Sequence, residues 1–265
     1  INSFELLPNE DYNREGATTQ NITDAWVYID GNYQGCYEMP ATIPVLEKGI
    51  HKLTLYPGIK LNGISGTRTF NPFYKPFEIE NYEFTEGKFD TVSPTTHYYT
   101  KDESPNMVFR IEDFDNNHGI FFNPTNDSDT SIIRTTIDDT LAWHSIHSNY
   151  SGVIHIGDSL NYCCVATDTL LGLPHNGGYT FLELDYRCDV EFEVGMYANI
   201  SSTINRIDLV YVKPSDAWKK IYINLSPTLN ENSSARYFKV FLAAAVADTL
   251  SADLYFDNIK IVYRD

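Results

Sequence analysis

The run Ala252-Asp253-Leu254-Tyr255-Phe256-Asp257-Asn258-Ile259-Lys260-Ile261-Val262-Tyr263 decides how this chain folds. Leu254 and Phe256 precede, and Ile259, Ile261 and Tyr263 follow, an Asp257-Asn258 interruption. A period of two places successive side chains on opposite faces of a strand. The apolar set stays on one face across Asp257-Asn258 only if the backbone bulges there, so the spacing predicts one long bulged strand. Trp218-Lys219-Lys220-Ile221-Tyr222-Ile223-Asn224-Leu225 reads as another strand of the same sheet protein.

Working outward, 37 Phe, Trp and Tyr residues make up 14% of the 265, beside abundant Thr, Val and Ile, which favours strands. No long segment keeps apolar residues at helical spacing, and the fold class expected is all-β. The length suits two β domains, each with its own core. The break falls at about residues 99–105, where Lys101-Asp102-Glu103-Ser104-Pro105 is charged and ends in proline. The expected division is 1–100 and 101–265.

The formal charge of −17 is spread over both parts, with 7 basic against 13 acidic residues in 1–100 and 12 against 23 in 101–265. Phosphate recognition needs clustered Lys and Arg, so no nucleic-acid partner is expected. Cys36, Cys163, Cys164 and Cys188 are too irregularly spaced for a disulfide framework or a zinc site. No apolar run reaches the ~20 residues of a membrane span.

In the first part, Trp26-Val27-Tyr28-Ile29-Asp30-Gly31-Asn32 is a strand entering a tight turn, and Gly49-Ile50-His51-Lys52-Leu53-Thr54-Leu55 is a strand with Ile50, Leu53 and Leu55 inside. His51 takes a structural role. The aromatics of Phe70-Asn71-Pro72-Phe73-Tyr74 are expected to plug one end of the sandwich. Residues 24–60 resemble the PEGA-type small β-sandwich, with its V-x-V-D-G hairpin and G-x-H-x-L strand. The arrangement is similar to surface lipoproteins of Bacteroidetes. That resemblance implies export, a polar tether over residues 1–23 and a lipid anchor as the one link to a membrane.

In the second part nine strand-like runs lie between Val108 and Tyr263, enough for a jelly roll. Phe181-Leu182-Glu183-Leu184-Asp185-Tyr186 alternates cleanly, and Val194-Gly195-Met196-Tyr197 follows it. With the terminal Asp-Asn strand these resemble a carbohydrate-binding module of the galactose-binding-like jelly-roll type. The overall expectation is a small Ig/PEGA-like β-sandwich followed by a β jelly-roll sandwich. The resemblance implies a structural calcium held by Glu112 or Asp113 with Asp257. A bulge in which Asp257 takes backbone amides weighs equally against it.

Sugar recognition needs aromatic faces for the C–H surface of a pyranose and polar groups for its hydroxyls. Trp143, His144, His147 and Tyr150, in a polar aromatic loop, and His175 with Asn176, in a Gly-Gly loop, are the candidate ligand contacts. Trp218 is read as structural. No nucleophile elbow, zinc-protease helix or phosphate loop is present, and no catalytic residue is assigned. The function expected is a non-catalytic, cell-surface glycan-binding protein. The alternative is a structural or adhesive spacer for a protein partner, and a glycoside hydrolase or lyase ranks last.

Overall fold

The computed structural model describes residues 1–9, 12–115, 119–145, 148–247 and 249–265. The chain forms two compact units, one of Ile1–Tyr12 with Thr18–Pro105 and one of Asn13–Ala17 with Asn106–Asp265. Among the described residues, no helix is long and apolar enough to cross a membrane.

The first unit contains β1 (Glu5–Leu6), β2 (Asp24–Ile29), β3 (Asn32–Glu38), β4 (Gly49–Lys60), β5 (Arg68–Phe70), β6 (Phe77–Phe84) and β7 (Thr95–Thr96). Its main sheet is antiparallel in the order β3-β2-β4-β5, with β6 also on β4, while β1 and β7 pair in parallel. Asp30 and Gly31 both take positive φ, 48° and 78°, as a two-residue turn twisted like its strands requires. Ala25, Val27, Ile29, Leu53, Leu55 and Ile59 are buried. Their cross-strand pairing puts them on one face of the sheet.

Ile50, expected inside with Leu53 and Leu55, is 67% exposed. The β4–β6 ladder shifts register between His51 and Leu53, but the extra residue lies on β6; β4 keeps its alternation, so Ile50, three residues from Leu53, falls on the opposite face. His51 ties the hairpin, with Nδ1 2.6 Å from Asp30 Oδ2 and Nε2 3.1 Å from the Lys48 carbonyl. Phe73 and Tyr74 are buried, whereas Phe70 remains on the open sheet face. The polar start of the chain is folded rather than strung out: Phe4, Leu6 and Ile22 are buried.

The second unit contains β8 (Met107–Glu112), β9 (Phe122–Pro124), β10 (Ile133–Arg134), β11 (Gly152–Ile156), β12 (Tyr162–Thr167), β13 (Thr180–Cys188), β14 (Phe192–Ile200), β15 (Thr203–Val212), β16 (Ser215–Asn224), β17 (Tyr237–Ala245) and β18 (Ala252–Arg264). One sheet runs β10-β11-β18-β13-β16 with β8 also on β18, and the other runs β15-β14-β17-β12-β9. Every pairing in both sheets is antiparallel. A shared core holds Leu182, Leu184, Ile221, Ile223, Leu254, Phe256, Ile259 and Ile261 of the first sheet with Val165, Val194, Met196, Val240 and Leu242 of the second. Phe192 and Phe256 meet across it edge to face, with centroids 5.0 Å apart. The protein is all-β, as its alternation predicts, with a β-sandwich as its larger unit.

The bulge in β18 lies where the apolar pattern breaks. Glu183 pairs with Lys260 and Asp185 with Asp257, so β18 spends one residue more than β13 between those two rungs. Asn258 takes the extra position with φ 48° and donates from Nδ2 to Asp185 Oδ2 at 2.9 Å. Cys163 points into the sandwich core and Cys164 to the opposite face, against Phe241 and Ala243. Cys188 lies in the other sheet from Cys163, and all four cysteines are free.

Candidate functional site

The outer face of the β18 sheet carries the unusual chemistry of the second unit. Period-two alternation sends Leu182, Leu184, Ile221 and Ile223 inward, and therefore Glu183, Asp185, Lys220 and Trp218 outward. On β18 the bulge returns Asp257 and Lys260 to the same outer face, beside Asp185 and Glu183. Lys220 Nζ stands 3.7 Å from both Glu183 Oε2 and Asp185 Oδ1, with its side chain only 2% exposed.

Residues 13–17 lie over part of this face. Lys260 Nζ donates to the Ala17 carbonyl, and Gly16, with φ +67°, sits where a Cβ would come 3.3 Å from Ile111 and 3.4 Å from Lys260. Arg14 places its guanidinium 5.2 Å above the Phe109 ring. Complete burial, followed by the nearby Lys220 charge, holds the Lys260 ammonium down at about 8, while Glu183, Asp185 and Glu15 oppose that shift.

Asp257 is buried, and desolvation raises its carboxyl well above the ordinary range. Ser148 Oγ at 3.3 Å, Ser151 Oγ at 3.1 Å and the Asn258 N–H at 2.6 Å all donate to it. Ser151 Oγ also accepts the Trp143 N–H at 2.8 Å. Two hydroxyls therefore pin the Trp143 loop to the bulge.

The loop presents Trp143 against Trp218, with ring centroids 5.8 Å apart and planes at 74°. Both indoles are half-buried. Trp218 Nε1 donates to the Leu141 carbonyl at 3.0 Å, whereas Trp143 Nε1 is buried and has no acceptor. Tyr255 completes the neighbourhood through Asp139, its hydroxyl 3.4 Å from Oδ2, and burial pushes that phenol up to about 12.

The residues singled out from sequence divide among three places. Trp143, His144 and Tyr150 share one loop: His144 Nε2 lies 2.9 Å from the Asp139 carbonyl, and the Tyr150 ring lies 3.6 Å beneath the Arg134 guanidinium. His147 lies outside the described residues. His175 and Asn176 belong to the other end of β13, where Asn176 Oδ1 takes the Gly178 N–H at 3.4 Å and Asn230 Oδ1 takes the Gly177 N–H at 3.1 Å. The seven-residue length from Thr180 to Arg187 separates the two groups by about 23 Å, so a single sugar cannot touch both.

Glu112 Oε1 receives the Phe114 N–H at 2.8 Å and Asp113 Oδ1 receives the Asp115 N–H at 3.0 Å. Among the described residues, no three His, Cys, Asp or Glu side chains group as metal ligands. The hydroxyl and amide hydrogens around Asp257 suit a carboxyl group, whereas calcium calls for converging oxygens. This donor set does not fit a calcium ion, and no role is built on one.

Trp218, Asp139, Ser148 and Ser151 carry the arrangement and were not expected in it. For Trp218 the signal was present: it alternates with Lys220 and Tyr222, away from Ile221 and Ile223, and so had to lie outside the sandwich core.

The sequence matches no family model and no curated protein. Distant overlaps with solved structures exist. One is a carbohydrate-binding module of the β-sandwich superfamily, at 11% identity, covering 90% of this chain and 84% of that one, with a TM-score of 0.39. A family 29 carbohydrate-binding module overlaps at 8% identity, 59% and 91% coverage and a TM-score of 0.36. The enzymatically active domain of bacteriophage CBA120 tailspike protein 4 overlaps at 9% identity, 57% and 20% coverage and a TM-score of 0.41.

Proposed function

We propose that this is a non-catalytic glycan-binding protein of the cell surface, which contacts sugar through Trp143 and Trp218 on the second unit. The carrying observation is the edge-to-face pair of Trp143 and Trp218, both partly exposed on the outer side of the sheet, with the Trp143 loop held by the Ser148 and Ser151 hydroxyls on Asp257. The neighbouring Trp218, tilted at 74°, makes the surface stepped, so two apolar sugar faces can rest on it at different angles.

The hydroxyl–carboxyl anchoring of the loop means that the platform is built before ligand arrives, which lowers the ordering cost of binding. Titration of the full chain with a panel of neutral oligosaccharides tests this reading. Binding that falls at least tenfold in both Trp143→Ala and Trp218→Ala supports it; equal binding by wild type and variants, or none by a folded wild type, removes it.

A second reading, a spacer that binds protein, has its own observation in the first unit. A cleft of about 860 Å3 opens between residues 40–48 and 84–92. Leu46 and Phe89 stand at it 99% and 90% exposed, which is side-chain chemistry suited to a peptide.

A further inference from the structure

The first unit has a second aromatic surface, on the face of its sheet opposite the core. Trp26 and Tyr28 of β2 point there, as do Tyr33 of β3, Tyr56 of β4 and Phe70 of β5. The rings form one continuous set: Trp26 lies 5.6 Å from Tyr33 and 6.1 Å from Phe70, Tyr28 lies 5.3 Å from both Tyr33 and Tyr56, and Tyr56 lies 5.3 Å from Phe70. Four adjacent strands carry it, a width of about 14 Å at the usual strand spacing. Tyr33 is 52% and Phe70 38% exposed.

Gly58 sets the pose of Trp26. A Cβ on Gly58 would come 3.0 Å from Trp26 Cδ1 and 2.8 Å from Asp24 Cβ, so the indole is laid across the glycine. Its Nε1 is buried and has no hydrogen-bond acceptor. The rim is charged but balanced. Arg68 pairs with Asp24 at 2.6 Å and Glu38 at 2.9 Å, and Lys60 pairs with Glu38 at 2.9 Å, two cations with two anions.

These features select among occupants. Of the Leu, Ile, Val and Met residues of β2–β5 only Ile50 is turned to this face, six residues along β4 from Tyr56, which leaves little for a lipid chain or an apolar peptide to pack into. Arg68 and Lys60 are both already paired with Asp24 and Glu38, so neither is a free cation for an anionic ligand. Rings that present π-faces, with paired side chains at the rim able to share hydrogen bonds with hydroxyls, match a neutral oligosaccharide. We infer that the first unit binds a neutral glycan across Tyr33, Trp26, Tyr56 and Phe70, at a site separate from Trp143 and Trp218. It stands or falls independently of the function proposed for the second unit.

The chain has three tryptophans, so an 15N–1H spectrum shows three indole N–H signals, assigned with single Trp→Phe variants. The full-length protein is titrated with millimolar cellohexaose, mannohexaose, xylohexaose and laminarihexaose in turn. The expected result is a saturable shift of the Trp26 signal with at least one of them. Its affinity should weaken by roughly threefold to tenfold in Tyr33→Ala, the loss of one aromatic contact. Tyr33 lies on an edge strand and is half-exposed, so this variant keeps the fold, which an unchanged dispersion of the backbone amide signals of residues 18–105 checks.

Movement of the Trp143 or Trp218 signals alone overturns this inference and leaves the second-unit site standing. Movement of Trp26 alone does the reverse. No movement with any of the four sugars removes both, and a Trp26 shift whose affinity Tyr33→Ala leaves unchanged removes this site alone.

Discussion

Ser151 Oγ lies 3.1 Å from Asp257 Oδ2 while accepting the Trp143 N–H, so one hydroxyl joins the bulge of the final strand to the aromatic loop. Ser151→Ala takes a donor from a buried carboxyl and an acceptor from a backbone amide. A loss of about 1–3 kcal/mol follows from leaving such groups unsatisfied. Urea unfolding measures the loss, and the Trp143 indole signal should broaden or shift with it. An unchanged midpoint would mean that the loop holds itself.

Asp257 carries a pH signature. Its folded-state pKa is raised, so the native state holds that proton more tightly than the unfolded chain. The contribution to stability is therefore full below the unfolded value near 3.8 and is lost as pH rises from there towards the folded value. Asp257→Asn removes the titration. The stability of wild type relative to the variant should fall as pH rises above about 3.8 in parallel urea melts, and a flat difference would show that Asp257 ionises normally.

Lys260 acts at the alkaline end, with the opposite trend. Its folded-state pKa is depressed to about 8 from the ordinary 10.5, so between those values the unfolded chain binds more protons. Its contribution makes stability rise with pH across that window. Burial also raises the Cys163 and Cys188 thiols to about 11, and those groups pull the other way from about pH 9 upward. The comparison of wild type with Lys260→Met isolates the lysine. Wild type should gain on the variant from pH 8 to 10, and no relative gain would place the ammonium in contact with water.

Gly195 tests the packing of the other sheet. It lies at a register shift between β14 and β15, where a Cβ would come 2.2 Å from Phe241 Cζ and 2.5 Å from the Ile207 carbonyl. Phe241 in turn sits 4.3 Å beneath the Arg206 guanidinium and 4.9 Å from the Tyr197 ring. Gly195→Ala should cost about 1–3 kcal/mol through overpacking, visible as a lower melting temperature. A neutral substitution would mean that Phe241 has room to turn.

Strand positions were legible where one face of a strand is buried and the other is not. Leu254, Phe256, Ile259, Ile261 and Tyr263 all reach the sandwich core, and the Asp257-Asn258 bulge lies where their spacing requires it. Ile50 faces outward because the offset needed to bring it into line with Leu53 and Leu55 does not form on β4; the extra residue of that ladder lies on β6, which the β4 run by itself does not show. The binding surface was legible only in fragments. Loop composition pointed to Trp143, but its pairing with Trp218 depends on a contact between residues 75 apart in sequence, which only the fold creates. His175 and Asn176 looked equivalent to Trp143 in composition, and strand direction puts them at the other end of the sheet. No period in the sequence marks residues 13–17 as part of the second unit, because a segment that crosses a sheet face needs no alternation of its own.

That segment has a consequence for how the protein is made. Ala17 leaves the ribosome 243 residues ahead of Lys260, which holds its carbonyl. Folding during synthesis proceeds from the N-terminal side, yet this short piece has no lysine to dock against until β18 has emerged. The second unit therefore cannot close piecemeal: its first segment waits for its own final strand.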